Sequence, residues 1–209
     1  MYHFCKWTVW ILVRCFYRHK VYGKEHIPAG GAMIASNHSS FLDPQLVGIS
    51  CTDEIHFLAR DTLFHFKPFG WLLSQLNTHP VQRGKGNLGT IKMTMELVRS
   101  GKKVVIFPEG KRSSDGTLQP GQLGIGMLVQ RTGCRIVPVY THGTFEVWNN
   151  QRKLPKLFGH TACIFGTPIE YSDSAQDKKE AQAEIVNTIM EKIAALRQWY
   201  LDGAKGSPP

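Results

Sequence analysis

The stretch AMIASNHSSFLDPQLVGIS, residues 32–50, opens on an apolar run, crosses small polar residues and ends in a helix-compatible segment. Residues 32–36 read as a strand and 43–50 as a helix, with His38 in the turn and Asp43 where the helix starts. The pattern recurs. Strands are expected at HFLA (56–59), HPVQ (79–82), KVVIFP (103–108), RIVPVYT (135–141) and ACIFG (162–166), and helices over 61–75, 87–100 and 121–132. This alternation predicts an α/β domain whose mostly parallel or mixed sheet is flanked by helices on both faces. A final helix is marked by Ser174 and Asp177, spaced as a capping box, and by the one-faced series Ile185, Ile189, Ile193, Leu196 and Tyr200. The domain is expected to span 21–202, and GAKGSPP (203–209) to be a disordered, fraying tail.

Ligands of α/β sheets gather at the carboxyl ends of strands. His38 follows the 32–36 strand, Arg83 follows 79–82, and Glu109, Gly110, Lys111 and Arg112 follow 103–108, while Pro138 falls within the next strand. One site built from all of them is the simplest reading. Five residues apart, His38 and Asp43 do not share a regular helix face. They can meet if His38 occupies the turn entering the helix. A carboxylate on one imidazole nitrogen then fixes the tautomer and leaves the other nitrogen as a base. A His–Asp pair that merely caps a helix is the competing reading. In FPEGKRS (107–113), Gly110 allows close backbone approach, while Arg112 and Lys111 suit an anion. Glu109 could meet a ligand hydroxyl or orient an arginine; a charged surface turn is the alternative.

Two other chemistries fit poorly. Ser39 and Ser40 lack the G-x-S-x-G elbow of a nucleophilic serine. His38 has no third ligand or H-E-x-x-H partner, so no metal site is expected.

Composition bounds the rest. The 209 residues are 42% hydrophobic and 20% charged, as expected of one globular domain. The net charge of +9 points to an anionic partner. It is concentrated in two places: residues 1–24, which hold Lys6, Arg14, Arg18, Lys20 and Lys24 and no acid, and residues 83–112. WTVWILV (7–13) lies in the first of these. A helix over 7–17 would be about 16 Å long, roughly half a bilayer core, so it is too short to span. Its tryptophans and flanking bases suit a membrane-interface helix within residues 1–20; a helix docked on its own domain is the alternative. No A-x-A-like cleavage site follows. Cys5, Cys15, Cys51, Cys134 and Cys163 are scattered, as in a reducing compartment.

Taken together, SNHSSFLDP, Arg83, FPEGKRS and IVPV (136–139), in this order, resemble the four blocks of the glycerolipid acyltransferase family. The similarity runs from about Val21 to Gly166 and includes VYGKEHIP (21–28) and ARDTLF (59–64). It is nearest to the 1-acylglycerol-3-phosphate acyltransferase class. The resemblance implies acyl transfer from a thioester of CoA or acyl carrier protein to a glycerol phosphate hydroxyl, at the cytoplasmic membrane face, without metal or resident cofactor. It implies His38 as general base, oriented by Asp43. Asn37, Arg83, Glu109, Gly110, Lys111 and Arg112 would contact the acceptor, and Pro138 would belong to the wall near the donor. Lys111 stands where the family commonly has threonine, and Gly121 and Gln122 where it has Phe and Lys. These departures bear on the acceptor headgroup. A different lysolipid acceptor, or a basic protein that binds membrane or nucleic acid without catalysis, are the other readings. No helix-turn-helix, zinc-finger or RNA-binding signature supports nucleic acid.

Overall fold

The computed structural model describes residues 1–81, 88–171 and 178–209. Seven strands form one sheet: β1 (Lys20–Tyr22), β2 (Ala32–Ser36), β3 (Ile55–Arg60), β4 (Thr78–Val81), β5 (Lys103–Ile106), β6 (Arg135–His142) and β7 (Ala162–Phe165). Their order is β1-β7-β6-β2-β5-β3-β4. All pairings are parallel except β6 with β7, so the sheet is mixed. The strands expected from sequence are all present, with ends shifted by at most two residues. The order places β6, β2 and β5 side by side in the middle of the sheet. The loops after these three strands therefore meet.

Seven helices accompany the sheet among the described residues: α1 (Tyr2–Tyr17), α2 (Asp43–Ser50), α3 (Lys67–Gln75), α4 (Leu88–Arg99), α5 (Leu123–Thr132), α6 (Thr144–Trp148) and α7 (Lys178–Leu201). The period-two alternation of buried strand residues sends them to opposite faces. Met33, Val104 and Ile136 pack towards Ile91 of α4, Val129 of α5 and Ile189 and Ile193 of α7. Ile34, Val105, Val137 and Phe165 pack towards Val47 of α2. Both faces are covered, as the alternating sequence requires. The isoleucine series of α7 indeed faces the core, whereas its Ser174–Asp177 cap lies outside the described residues.

The N-terminal helix docks on its own domain along one side and leaves aromatic residues exposed on the other. Val9, Val13 and Tyr17 dock on Leu46 and Ile49 of α2, while Phe4 and Trp7 are 68% and 61% exposed. No helix among the described residues is long and apolar enough to cross a membrane.

The last residues depart from expectation. Instead of fraying, they fold back on the sheet edge: the Trp199 indole donates to the Lys205 carbonyl and Thr167 N–H donates to Pro209 O, both at 3.0 Å. Pro208 is buried. Gly203 and Gly206, at φ 96° and 76°, make the reversal that brings this segment back.

Lys103 is another correction to a reading from charge alone. Although it belongs to the basic 83–112 stretch, it is 2% exposed at the amino end of β5. Its ammonium is paired with Asp53 and donates to Gly30 O at 3.1 Å. It supports the fold at the end opposite the candidate site. Asp53→Ala would leave this ammonium without its counter-charge, and is expected to lower stability by roughly 2 kcal/mol because Asp53 itself is partly solvated. Urea unfolding measures this; an unchanged midpoint would show the pair to be dispensable.

Candidate active site

Asp43 begins α2 and its side chain is fully buried. A buried carboxylate needs donors, and the preceding turn supplies them. Oδ2 accepts the N–H groups of Ser39 and Ser40, both at 2.7 Å, and lies 2.9 Å from His38 Nδ1. Oδ1 accepts the Thr141 hydroxyl at 3.2 Å. The carboxylate reaches back into the turn that leads to its own helix, which is how a spacing of five brings the two side chains together. Since a carboxylate only accepts, Nδ1 carries the proton, and Nε2 is left with its lone pair. The imidazole stacks on Phe107, with ring centroids 4.0 Å apart. Asp43 and Phe107 thus fix both the tautomer and the plane of the ring.

The backbone of His38 is held as firmly. Its N–H donates to Glu109 Oε1 at 2.9 Å, and its carbonyl accepts from Ser113 N–H at 2.8 Å. The FPEGKRS turn after β5 thereby grips the turn after β2. Gly110 sits at φ 70°, a conformation that favours glycine, and a Cβ there would also press on the Gln122 side chain at 3.0 Å.

Glu109 is 2% exposed, and its second oxygen accepts Gln119 N–H at 3.2 Å. Both oxygens of Glu109 are thus engaged by the protein's own backbone, and the side chain clamps the turn that carries His38. Burial pushes its carboxyl up to about 7, with Asp43 adding in the same direction and the two N–H groups opposing.

Asn37 is likewise a strut. Its Oδ1 accepts Thr141 N–H at 2.7 Å and its Nδ2 donates to Thr141 O at 3.1 Å, tying the β2 turn to β6. With its amide so engaged and 5% exposed, it is not placed to bind a substrate. Pro138 lies within its strand as expected, buried inside β6 opposite Ala35. Its carbonyl accepts Gly166 N–H at 2.8 Å, just where the neighbouring chain has left β7. A ladder position at which the partner strand ends tolerates a residue with no N–H. Arg83 lies outside the described residues.

Arg112 lies over the Phe41 ring, its guanidinium carbon 3.8 Å from the centroid, and Lys111 beside it is exposed. Ser39 and Ser40 are engaged with Thr144 Oγ1 at 3.3 Å and Trp148 O at 2.6 Å, which removes them as nucleophiles. No group of three potential metal-ligating side chains is assembled among the described residues.

The family model described as acyltransferase matches residues 18–142, well over half of the chain and the whole span from β1 to β6. The chain belongs to the acyltransferase family. It is 30% identical over 199 residues to a 1-acyl-sn-glycerol-3-phosphate acyltransferase of Bacillus subtilis, covering 94% of this chain and 96% of that one. It is 32% identical over 178 residues to a chloroplastic 1-acyl-sn-glycerol-3-phosphate acyltransferase of Brassica napus, covering 83% of this chain. It spans about half the length of that relative (52%) and of a similar one from Arabidopsis thaliana (50%). The crystal structure of the 1-acyl-sn-glycerophosphate acyltransferase of Thermotoga maritima shares the fold, with a TM-score of 0.66 and 23% identity over 85% of this chain and 72% of that one.

Thr141 is a residue of the site that no sequence signal marked. It closes the ring of donors around Asp43 and clasps Asn37 through its backbone. It lies at the carboxyl end of a central strand, and no residue-type pattern singles it out.

Glu109 gives a pH test. A carboxyl raised from 4.5 to about 7 keeps its proton in the folded chain after the unfolded chain has lost it. The unfolded state then binds fewer protons, so stability falls as pH rises through this window and levels off above it. Wild type is expected to lose roughly 3 kcal/mol across the window relative to Glu109→Gln, by denaturant titration at several pH values. Parallel stability curves would refute the assignment.

Proposed function

We propose that this protein transfers a fatty acyl group from a CoA or acyl-carrier-protein thioester to the free hydroxyl of 1-acylglycerol 3-phosphate. The observation that carries this reading is the His38–Asp43 pair, with Nδ1 fixed by a buried carboxylate and Nε2 left for the acceptor proton. The names of the similar proteins from Bacillus subtilis and Brassica napus supply the acceptor class.

In the proposed reaction, Nε2 removes the hydroxyl proton as the oxygen attacks the thioester carbonyl. The tetrahedral adduct collapses, the C–S bond breaks, and the thiolate takes the proton back from the imidazolium. Asp43 stabilises the imidazolium without itself changing protonation. A thiolate leaves readily, so one base serves both directions of proton movement and no acyl-enzyme is formed. Arg112, exposed in part beside Lys111 on the turn that holds His38, is assigned to the acceptor phosphate. Anchoring the phosphate there presents the hydroxyl to Nε2, which is where effective concentration contributes to rate. The exposed aromatic residues of α1 support a reaction carried out at a membrane surface.

Lys111 favours one variation. A second cation where the family commonly has threonine would suit an acceptor with a different headgroup, and a panel of lysolipids and glycerol 3-phosphate at fixed donor concentration separates these.

His38→Ala is expected to lower turnover about 10³-fold while leaving the fold intact. Arg112→Ala is expected to raise the acceptor KM roughly tenfold to a hundredfold with a smaller effect on kcat. Both are read with labelled acyl donor and purified protein. Wild-type turnover in the first variant would end the proposed mechanism; an unchanged KM in the second would move the phosphate elsewhere.

A further inference from the structure

The segment Arg152–Lys153–Leu154–Pro155–Lys156–Leu157–Phe158, between α6 and β7, takes no part in the site described above. Leu154, Leu157 and Phe158 are 78%, 64% and 67% exposed, among the most exposed large apolar side chains of the molecule. The loop that presents them is pinned at several points. Arg152 N–H donates to Asn149 O at 3.2 Å, Lys156 N–H to Val147 O at 2.9 Å, and Gly159 N–H to Phe16 O at 3.2 Å. The Tyr17 hydroxyl donates to Lys156 O at 3.0 Å. Gly159 is required for this seating, since a Cβ there would come within 2.7 Å of Val147. The fold therefore fixes the backbone and leaves the apolar side chains outward.

Two features say what covers them. The first is charge: Arg152, Lys153 and Lys156 are exposed and no acid occurs between Trp148 and His160. The second is continuity with α1. The Phe158 ring lies 5.8 Å from that of Phe16, and Leu12, 50% exposed, stands one turn before Phe16. The α1 segment also has no acid. Leucines and phenylalanine fringed by lysine and arginine, in a loop without acids that abuts a helix without acids, match the interface of an anionic bilayer.

We infer that the 152–158 loop is a second membrane contact, inserting Leu154, Leu157 and Phe158 at the acyl boundary while its basic residues meet anionic headgroups. It builds on the membrane placement proposed above and adds a position. The Trp148 indole donates to Arg152 O at 3.2 Å, the Trp148 ring lies tilted against Phe41 with centroids 5.1 Å apart, and Phe41 carries Arg112. Two aromatic rings thus link the bilayer contact to the cation assigned to the acceptor. A lysolipid leaving the membrane at this loop would have its phosphate near Arg112 with little diffusion through water.

The test uses the full chain, flotation with phosphatidylcholine vesicles with and without phosphatidylglycerol, and two double variants. Leu154→Asp/Leu157→Asp and Lys153→Glu/Lys156→Glu are each expected to weaken binding to the anionic vesicles by about tenfold or more. Circular dichroism and turnover on a dispersed short-chain lysophosphatidate should stay unchanged, because these side chains lie outside the catalytic machinery. Wild-type vesicle binding by the leucine variant would overturn the inference. So would a charge-reversal variant that binds vesicles normally but loses activity only with acyl carrier protein, which would make the loop a dock for an acidic protein. Conversion of a wild-type oligomer to monomers, with vesicle binding intact, would assign the surface to a second copy and overturn it likewise. Absence of wild-type turnover on every lysolipid would instead remove the acyltransferase reading, and the flotation result would still decide the loop.

Discussion

A carboxylate buried without solvent must be surrounded by donors, and Asp43 imposes that demand on two segments besides its own helix. Ser39 and Ser40 give backbone N–H groups, His38 its ring N–H, and Thr141 its hydroxyl. Losing any one donor leaves charge undersatisfied in the interior, where the remaining bonds carry more electrostatic weight than they would in water. The turn after β2, the first residue of α2 and the end of β6 are consequently locked to each other by one side chain. The imidazole orientation follows from a constraint that already serves folding. This is why capping and catalytic readings of His38 and Asp43 are not true alternatives: the carboxylate that ties the helix start to its turn is also the one that orients the ring.

The sheet order explains why a third loop joins them. Because β2 lies between β5 and β6, the FPEGKRS turn emerges beside the β2 turn and can bond both ends of the His38 peptide unit. Asn37 does the corresponding work on the other side, towards β6. Flanked on both sides, His38 has little freedom to leave the position Asp43 gives it. A base on a mobile loop would lose the geometric advantage on which positioning depends.

These facts also set what could be read from sequence. The 32–36 strand and the 43–50 helix were legible because an apolar run and the Asp-Pro start are local signals. The β1 strand was not, since Lys20–Tyr22 is three residues long and gains its pairing only from β7, far along the chain. The five-residue α6 is equally too short to show a helical period. At the site, residue type indicated which side chains gather but not which partner each would choose. Asn37 and Glu109 have ordinary ligand-binding chemistry; only the coordinates show their oxygens occupied by Thr141, His38 and Gln119. Lys103 is the same lesson in charge: its place in a basic run says nothing about Asp53, fifty positions away. Composition reveals supply, whereas burial decides use.

Electrostatics then divides the labour between the two carboxyl groups flanking His38. Glu109 is pushed to about 7 by burial, and the Asp43 charge adds to the push, so the pair is set to avoid two full negative charges beside the same imidazole. The protonated acid still accepts a hydrogen bond from His38 N–H through its carbonyl oxygen, so the clamp on the base survives either state. The position of His38 thus does not depend on the charge that Glu109 carries, because its carboxyl oxygen accepts the same N–H in both states.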